Sequence, residues 1–326
     1  MTRRLGTDEK TALTAEMERR LGLRVERDRP LAPLTTMRVG GPADLFAVVR
    51  NLFELRGMVR FARLREIPMF LLGRGSDLVV SDAGMGGLVV QVKAEGYRLE
   101  GDRVYCEAGV PMARLATIAK DAGLSGAEFG LAIPGTVGGA VWANAGAHGG
   151  DVRSILAEAS VMPADGGPER GCDGDALGLA YRSSRLKREP GAPETFPDVV
   201  TAATFALAPA EPAAITARLD EIRRWRQAHQ PVGTPSAGSV FRNPADGPAA
   251  GALIEAAALK GARVGGASVS QKHANFIVND RGATAADVRR LAELVRHRVA
   301  EQAGIELRYE VVFAGDWSGW VEGAVA

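Results

Sequence analysis

Glycine is crowded into a few short segments of this chain, and that crowding constrains the fold more than any other feature. Forty of the 326 residues are glycine, about 12%, where about 7% is usual. They cluster at 73–75, 84–87, 126–150 and 261–266. Glycine permits sharp turns and close approach of the backbone to a ligand, so these segments predict loops. The stretch 134–150 is too rich in glycine for a plain helix or strand.

Composition and charge narrow the class of protein. A chain of 326 residues is long enough for two or three domains, and 46% hydrophobic with 24% charged residues is ordinary for a globular protein. Lys+Arg 40 against Asp+Glu 39 gives a net charge of +1, which predicts neither a nucleic-acid partner nor attraction to an anionic membrane. No apolar run approaches the roughly 20 residues of a membrane span. The charged start, Met1 to Arg4, is unlike a signal peptide, so we expect a cytoplasmic protein.

Cysteine and histidine are too sparse for a disulfide framework or a structural metal site. The two cysteines, Cys106 and Cys172, lie far apart in the sequence, and the four histidines form no pair with the spacing of metal ligands. We therefore expect no bound metal.

Hydrophobic spacing and end signals predict the regular elements. The predicted helices cover 1–28, 51–66 with Asn51 as the N-cap, 111–122, 215–230, and 284 onward with Gly304 as the cap. The predicted strands cover 69–73, 87–93, 104–107, 198–207 and 305–313. Turn residues predict loops at 163–175 and 188–197, and the stretch 208–212 has the composition of a linker between domains.

The common phosphate-binding and nucleophile fingerprints are absent. Residues 73–78, Gly-Arg-Gly-Ser-Asp-Leu, begin like a dinucleotide fingerprint but carry Leu78 at the third glycine position. The sequence has no P-loop and no Gly-x-Ser-x-Gly elbow. Residues 184–187 satisfy Ser-x-x-Lys without its partner motifs, so we assign that pattern no role.

Three glycine-bearing segments of the first half have the character of anion-binding loops. They are 36–44 (Thr-Met-Arg-Val-Gly-Gly-Pro-Ala-Asp), 72–80 (Leu-Gly-Arg-Gly-Ser-Asp-Leu-Val-Val) and 133–146 (Ile-Pro-Gly-Thr-Val-Gly-Gly-Ala-Val-Trp-Ala-Asn-Ala-Gly). Successive backbone N–H groups in such turns form concave anion sites. Several of them at separate chain positions suit one long ligand with two phosphates.

These segments resemble the flavin-binding half of the UDP-N-acetylenolpyruvoylglucosamine reductases, enzymes of peptidoglycan precursor synthesis. The second half of the chain resembles the same family in five further segments: 181–187, 235–244, 253–261, 263–270 and 307–312. The resemblance is collinear from about residue 31 to about residue 314. Any one segment would be a weak signal, whereas this many in the right order are specific.

The resemblance implies an α+β fold with a flavin-binding domain built from two α/β subdomains, of the vanillyl-alcohol-oxidase (PCMH) type, followed by a C-terminal α/β substrate domain. Placed on this sequence, the expected parts are subdomain 1 at 1–94, subdomain 2 at 95–209 and the substrate domain at 210–326. No tyrosine lies between Arg182 and Tyr309, which resembles the shorter class of the family, without a tyrosine-bearing loop over the substrate.

The resemblance also implies a reaction. NADPH reduces a non-covalently bound FAD and leaves, and UDP-N-acetylglucosamine enolpyruvate takes its place. The reduced flavin then delivers hydride to the double bond, which gives UDP-N-acetylmuramate. The implied partners are small molecules only, and we expect a monomer. A nicotinamide fingerprint is not visible in the sequence, which fits two reactants that take turns in one site.

The chemistry of that reaction can be set against named residues. Hydride addition to a double bond conjugated with a carboxylate makes an enolate, which needs cationic or hydrogen-bonding groups in place, and the neighbouring carbon needs an acid. By resemblance, Arg182 and Glu310 hold and polarise the carboxylate, and Ser239 delivers the proton. We hypothesise that Glu310 acts as a donor by staying protonated in an enclosed, apolar site. Each of the three, outside its motif, would be interpreted as a solvated or turn-capping side chain.

The resemblance further implies two sets of binding residues. For FAD they are Arg38, Gly40, Gly41, Gly73, Gly75, Ser76, Asp77, Pro134, Gly135, Thr136, Gly138, Gly139, Asn144 and Gly146. For the substrate they are Tyr181, Arg226 and Asn243, with Lys272 and His273 as weaker candidates. A solvated helix face is an equally good interpretation of Arg226.

Four positions depart from the family pattern. Asp77 stands where the family usually has Asn, Arg74 where glycine is common, Ala132 where glycine usually precedes Ile-Pro-Gly, and His148 in place of a more usual tyrosine. An acidic Asp77 would be unfavourable next to a pyrophosphate unless it bonds the backbone or a ribose. These departures leave the FAD contacts at 74, 77 and 132 open and do not touch the catalytic trio.

Two other functions remain open on the sequence. An FAD-linked oxidase of the same flavin fold would oxidise an alcohol with oxygen, and could tether its flavin covalently through His148. A sugar-nucleotide-binding regulator without catalysis is disfavoured by the intact trio of Arg182, Ser239 and Glu310. Trp317 and Trp320 are expected to pack rather than to stack on a ligand.

Overall fold

A computed structural model describes residues 3–187 and 196–320 of the chain. In these ranges the helices are α1 (Thr7–Leu21), α2 (Leu52–Leu64), α3 (Met112–Asp121), α4 (Val137–Ala143), α5 (Pro212–His229), α6 (Ala250–Ala256) and α7 (Ala285–Ala303). Short 3₁₀ helices lie at Ala32–Leu34 and Glu128–Ala132. The predicted loop at 188–197 falls mostly outside the described residues.

The strands are short and numerous. The first five are β1 (Val25–Pro30), β2 (Pro42–Val49), β3 (Met69–Leu72), β4 (Leu78–Val80) and β5 (Met85–Val92). The next nine are β6 (Tyr97–Glu100), β7 (Arg103–Glu107), β8 (Leu124–Ser125), β9 (Gly146–Ala147), β10 (Gly150–Asp151), β11 (Leu156–Met162), β12 (Arg170–Cys172), β13 (Val199–Ala206) and β14 (Ala208–Pro209). The last are β15 (Ser236–Ser239), β16 (Arg263–Val264), β17 (Ala267–Val269), β18 (Phe276–Asn279) and β19 (Val312–Ala314).

The first larger sheet has the strand order β1-β2-β5-β3. β5 pairs in parallel with β2 on one side and with β3 on the other. Parallel strands are joined by crossover connections, and α2 forms the one that leads from β2 to β3. β2 and β5 are buried along almost their whole length, as expected of parallel strands that are covered on both faces. Asn51 caps α2 by accepting a hydrogen bond from the Glu54 backbone N–H, which confirms the predicted start of this helix.

The second and third larger sheets are antiparallel. The second has the order β12-β11-β13-β7-β6, and its apolar core also takes in side chains of α3 and α4. The third has the order β15-β18-β17-β16 and packs against α7. A capping box at Thr284 starts α7 and left-handed Gly304 ends it, as predicted. Each of these sheets draws on one of the three expected parts of the chain. The boundaries at 94/95 and 209/210 stay predictions.

The C-terminal segment returns to the first part of the chain. β19 pairs in parallel with β4, so that Val312 stands opposite Leu78. The predicted strand at 305–313 is therefore wrong over most of its length. Before β19 the backbone makes only scattered bonds to the segment after β15, including Arg242 N–H to Arg308 O (2.9 Å) and Glu310 N–H to Val240 O (2.8 Å). The alternation of apolar and charged residues at 305–311 belongs to an irregular segment that crosses between two parts of the molecule, not to a strand.

Four other predictions need correction. The loop predicted at 163–175 contains β12, which pairs with β11. The helix predicted at 1–28 is limited to α1, because Gly22 adopts a left-handed conformation that ends it. The residues after it form β1, which pairs with β2. The glycine-rich stretch 134–150 contains α4, whose first N–H groups reach the Val110 and Ala108 carbonyls. The predicted linker at 208–212 is partly β14, which pairs with β8, and α5 begins at Pro212.

Other predictions are confirmed. The helices α3 and α5 and the strands β3, β5, β7 and β13 lie within a few residues of their predicted bounds, and the chain has the expected α+β class. Trp317 and Trp320 pack edge to face at 5.6 Å, with the Arg289 guanidinium over both rings. These two tryptophans therefore pack, as expected. In the described part of the chain, no helix has both the length and the apolarity to cross a membrane.

Candidate active site

One cavity is lined by glycines from two of the three glycine segments and by the predicted catalytic residues. Its volume is about 840 Å³, toward the upper end of the usual range for small-molecule sites. Its walls come from all three larger parts of the fold. They are formed mainly by 69–78, 132–148, 181–182 and 230–243, together with Glu310.

Two of the glycine loops, one after β3 and one before α4, contact each other in the wall of this cavity. A methyl group at Gly73 would lie 2.8 Å from the Thr136 Oγ1 atom, and one at Gly135 would lie 3.4 Å from the Ser76 Oγ atom. Glycine therefore lets the loop after β3 and the loop before α4 meet. Together they form a narrow backbone cradle of the kind that an extended anionic ligand requires.

Other glycines seat these loops on the protein. Gly75 has φ +61°, and a Cβ there would lie 2.6 Å from the Leu34 carbonyl oxygen. A Cβ at Gly138 would lie 2.9 Å from the Ala108 Cβ. Both residues line the cavity and also allow close backbone packing behind it.

Most of the residues expected from the sequence lie on the cavity. For the cofactor these are Gly73, Gly75, Ser76, Asp77, Pro134, Gly135, Thr136, Gly138, Gly139 and Gly146. For catalysis they are Arg182, Ser239 and Glu310, and for the substrate Tyr181, Arg226 and Asn243. Of the departures from the family pattern, Arg74, Ala132 and His148 line it too.

Three residues of the first glycine segment lie away from the cavity and have packing roles. A Cβ at Gly40 would lie 2.8 Å from the Val80 Cβ, and one at Gly41 would lie 2.1 Å from the Asp82 carbonyl oxygen. Arg38 is exposed, and its guanidinium bonds a carbonyl of the adjoining loop. The sequence signal at 38–41 therefore marks a tight chain crossing, and the FAD contacts expected there stay predictions.

Asn144 is also a structural residue. It is buried and left-handed at the end of α4. Its Nδ2 donates to the Ala180 carbonyl (2.8 Å) and its Oδ1 accepts from the Arg153 backbone N–H (2.9 Å). With both ends of its amide engaged, Asn144 ties the glycine segment to the residue just before Tyr181 rather than contacting the cavity.

Arg182 is held in an unusual backbone conformation at the cavity wall. Its φ of 54° is left-handed, which costs energy for a residue with a Cβ and is concentrated at functional sites. Its Nη2 donates to the Gly146 carbonyl (2.6 Å), and its Nε lies 3.5 Å from a Glu310 carboxylate oxygen. The guanidinium is thereby fixed between the glycine segment and Glu310.

Glu310 is the counter-ion of two arginines. Besides Arg182, the Arg242 Nε lies 3.0 Å from the Glu310 Oε2, although the angles are not those of a hydrogen bond. Only 12% of the Glu310 side chain is exposed. Arg242 had no predicted role, although it stands between Ser239 and Asn243 in the segment 235–244 and a basic side chain there is a visible signal.

Ser239 lies next to Glu310 through backbone pairing. It ends β15 opposite Phe276 of β18, and left-handed Gly238 precedes it. The next residue, Val240, accepts the Glu310 backbone N–H. A hydroxyl, a carboxylate and two guanidinium groups therefore share one end of the cavity.

Asp77 and Lys187 complete the charges at this end. Burial, and after it the Glu310 carboxylate, raises the pKa of Asp77 well above its ordinary value. Burial lowers the pKa of the Lys187 ammonium, whose Nζ lies 3.5 Å from the Arg182 carbonyl. Lys187 belongs to the segment 181–187 that resembles the family, but it had no predicted role.

The substrate candidates occupy different parts of the cavity. Tyr181 is 61% exposed and stands at the rim. Arg226 is half-buried, burial lowers its pKa, and its Nη1 bonds the Leu131 carbonyl (2.9 Å). The Asn243 Oδ1 accepts the Ala250 backbone N–H (3.0 Å), so its amide group is oriented by α6.

The weaker candidates differ in position. The Lys272 ammonium bonds the Gln227 carbonyl, and His273 accepts the Asn275 backbone N–H (3.2 Å); neither lines the cavity. His148 does line it, in edge contact with the Trp225 ring. Burial first, and then nearby guanidiniums, lower the pKa of His148, which favours the neutral ring.

Two further observations bear on cofactor chemistry. Cys106 is buried, and burial raises the pKa of its thiol to about 12, so it is no nucleophile. Across residues 3–187 and 196–320, His, Cys, Asp and Glu side chains form no group that could hold a metal ion. The cavity thus combines a wall of glycine loops with a cluster of charged side chains around Glu310.

Family models match both halves of the chain. A model described as an FAD binding domain matches residues 43–170. A model described as the C-terminal domain of UDP-N-acetylenolpyruvoylglucosamine reductase matches residues 230–314. The two matches include the glycine loops of the cradle and the segment with Ser239 and Glu310.

Whole-chain comparisons agree with these models. The chain is 45% identical to UDP-N-acetylenolpyruvoylglucosamine reductase 2 of Symbiobacterium thermophilum, over 90% of this chain and 92% of that protein. It is 42% identical to the reductase of Heliobacterium modesticaldum, over 91% and 93%. The crystal structure of the Thermus caldophilus reductase superposes with a TM-score of 0.74 at 37% identity, covering 89% of this chain and 99% of that one.

Proposed function

The chain belongs to the family of UDP-N-acetylenolpyruvoylglucosamine reductases, which are flavin-dependent oxidoreductases, and from this premise we propose its full reaction. It reduces UDP-N-acetylglucosamine enolpyruvate to UDP-N-acetylmuramate, with FAD as a non-covalent cofactor and NADPH as reductant. This step belongs to peptidoglycan precursor synthesis. The protein acts as a monomer in the cytoplasm, on small molecules alone.

The residues of the cavity fit FAD. The loops at 73–77 and 134–139 approach each other closely because Gly73 has no side chain to meet Thr136, and this leaves backbone along the cavity wall. Such backbone suits a diphosphate, which accepts hydrogen bonds from N–H groups. Bound there, FAD would supply the hydride that the enolpyruvyl double bond accepts.

Arg182, Arg242 and Glu310 support a site for the substrate carboxylate. Hydride addition adds a second negative charge to that carboxylate, which becomes an enolate. Guanidinium groups already in place stabilise this charge without reorganisation, which is the largest single contribution in many enzymes. Arg182 is held rigidly by Gly146 and Glu310, so its position would not depend on the substrate.

Glu310 then acts chiefly on the two arginines. Its carboxylate is ion-paired to both, and this arrangement favours a role as an acceptor that orients them over the neutral donor hypothesised from the sequence. The substrate carboxylate would share Arg182 with Glu310.

Ser239 is the proposed proton donor. Its hydroxyl proton passes to the carbon next to the carboxylate, and the hydroxyl regains a proton from solvent, so that one hydride and one proton are added to the double bond. Its place on β15 beside Glu310 puts it at the carboxylate end of the cavity. A serine serves as an acid only when geometry fixes the carbon next to it.

The observation that carries this proposal is the meeting, on one cavity, of the glycine cradle with Arg182, Glu310 and Ser239. Anaerobic visible spectroscopy tests it. NADPH is expected to bleach the bound flavin, and the enolpyruvate substrate to restore its colour without oxygen. Bleaching without recovery would contradict the proposed acceptor, and a protein that binds no FAD would contradict the whole proposal.

A Ser239→Ala variant separates the two half-reactions. Ser239 is proposed to act only on the enolpyruvate, so bleaching by NADPH should keep its wild-type rate while recovery slows about 10²- to 10⁴-fold, the usual contribution of a positioned acid. Recovery at the wild-type rate would remove Ser239 from the mechanism.

Acid precipitation of either protein should release free FAD, and retained flavin would indicate a covalent tether.

A further inference from the structure

Asp77 occupies a place where the first and last parts of the chain meet. It follows Ser76 at the end of the glycine loop, and its carbonyl accepts the Val312 backbone N–H (3.0 Å). Because β4 and β19 run parallel with Leu78 opposite Val312, Asp77 stands opposite the residue that follows Glu310. Both carboxyl side chains line the cavity, and the Glu310 carboxylate acts on the Asp77 side chain.

The charged groups that face Asp77 come from three segments. Glu310 lies on the returning C-terminal segment, Arg242 follows β15, and Arg182 and Lys187 lie on the loop at 181–187. Arg74, on the loop of Asp77 itself, is exposed to solvent. Burial and Glu310 together outweigh the three cations, and the net effect raises the pKa of Asp77.

A count of charges shows what a neutral Asp77 would do. Three cations, Arg182, Lys187 and Arg242, meet one carboxylate, that of Glu310. The proposed substrate brings a second carboxylate, and one positive charge is left over. Hydride addition then creates one more negative charge, which that surplus offsets. An ionised Asp77 would cancel the surplus before the reaction begins.

We infer that Asp77 is a positioning residue that must be neutral for turnover, because its neutral carboxyl leaves this end of the cavity the positive charge that the enolate requires. This inference rests on the proposed function. It assigns to Asp77 an electrostatic part in the reaction, acting through the arginines around Glu310, in place of a contact with the diphosphate of the cofactor.

The pH dependence of kcat/KM for the enolpyruvate substrate tests the inference in the FAD-loaded protein, from about pH 6 to about pH 10. The wild type should lose about tenfold in kcat/KM for each pH unit above the pKa of Asp77. In Asp77→Asn, which cannot ionise, that alkaline limb should be absent, whatever the absolute rate. The exposed Asp102→Asn is the matched control and should keep the wild-type profile.

Calorimetry gives a readout that needs no turnover. The FAD-loaded protein is titrated with the enolpyruvate substrate, without NADPH, in two buffers of different ionisation enthalpy, which counts the protons taken up. A second carboxylate beside Asp77 favours its neutral form, so wild type should take up as much as about one proton in the pH range of its limb. Asp77→Asn should take up none there.

The outcomes are distinct. If wild type never turns the substrate over, the proposed function fails and this inference fails with it. If wild type turns over and Asp77→Asn shows the same alkaline limb and the same proton uptake, the inference alone is overturned. Should the variant not fold, absence of proton uptake by wild type overturns the inference, and its presence in the range of the limb supports it.

Discussion

Glu310 is a residue whose role depends on neighbours far away in the sequence. Its partners Arg182 and Arg242 come from two other segments, and its backbone N–H is bound to Val240. By alternation alone Glu310 would face solvent, whereas the tertiary structure places it between two guanidiniums. The same holds for Asp77, which lies at the end of a glycine loop and is surrounded by charges from three segments.

At the residue scale, Asp77 should make stability depend on pH. A folded-state pKa above the unfolded value of about 3.9 means that stability is lost as pH rises between the two values. Asp77→Asn does not ionise and should therefore gain on wild type across this range, by about 1.4 kcal/mol for each unit of pKa elevation.

Urea unfolding at about pH 4 and about pH 8 measures this gain. The unfolding free energy of Asp77→Asn minus that of wild type should be larger at the higher pH. Asp102→Asn, whose exposed side chain serves as control, should differ from wild type by the same amount at both pH values. A difference between Asp77→Asn and wild type that does not move with pH would show that Asp77 ionises as freely in the folded chain as in the unfolded one.

At the element scale, the loop between β3 and β4 shows how glycine connects secondary structure with the site. Hydrophobic runs define β3 and β4, and the loop between them could take many shapes. Its shape is set by contacts with the Leu34 region through Gly75 and with Thr136 through Gly73. These contacts put the cradle at the ends of the strands, where backbone is free to meet a ligand.

Gly75→Ala tests this packing against a matched control. Gly75 and Gly101 have almost the same backbone, φ +61° and +64°, but a Cβ at Gly101 meets nothing within 4 Å, whereas one at Gly75 meets the Leu34 oxygen at 2.6 Å. Gly101→Ala should cost about 1 kcal/mol of unfolding free energy for backbone strain. Gly75→Ala should cost about 1–3 kcal/mol more for the clash and weaken FAD binding. Equal losses in urea unfolding would contradict the packing role.

At the scale of the whole molecule, the three parts of the fold that surround the cavity contact one another through a few strands, helix ends and side chains. β19 joins β4, the Asp82 carboxylate accepts the first two backbone N–H groups of α7 at 2.9 Å each, and the Arg226 guanidinium on α5 bonds the Leu131 carbonyl. A ligand that contacts several of these parts should therefore stabilise all of them together.

FAD should raise the thermal midpoint of the apoprotein by this means. At a free concentration of about 100 Kd the expected gain is about 2.7 kcal/mol, or about 4 °C for a chain of this size. Differential scanning fluorimetry with FAD and with riboflavin measures it. Riboflavin lacks the diphosphate and adenosine that the cradle would hold, so it should give a much smaller shift. Equal shifts would contradict the assignment of the cradle to the diphosphate.

Several features of this protein were determined by its sequence alone. The helices α2 and α7 follow from local caps and apolar stripes, and the strands β3, β5, β7 and β13 follow from apolar runs, because these signals act over a few residues. The glycine loops and the trio of Arg182, Ser239 and Glu310 were visible because each lies in a short ordered segment. The family resemblance depended on the order of those segments along the chain.

The tertiary structure alone decided how those segments work together. It showed that Gly40, Gly41 and Asn144 pack the chain rather than line the cavity, and that 305–311 crosses between parts instead of continuing a strand. It also brought Arg242 and Asp77 to Glu310. Glycine spacing signals a tight approach without naming the partner, and electrostatic effects depend on distances between residues remote in sequence, so neither could be obtained from local pattern.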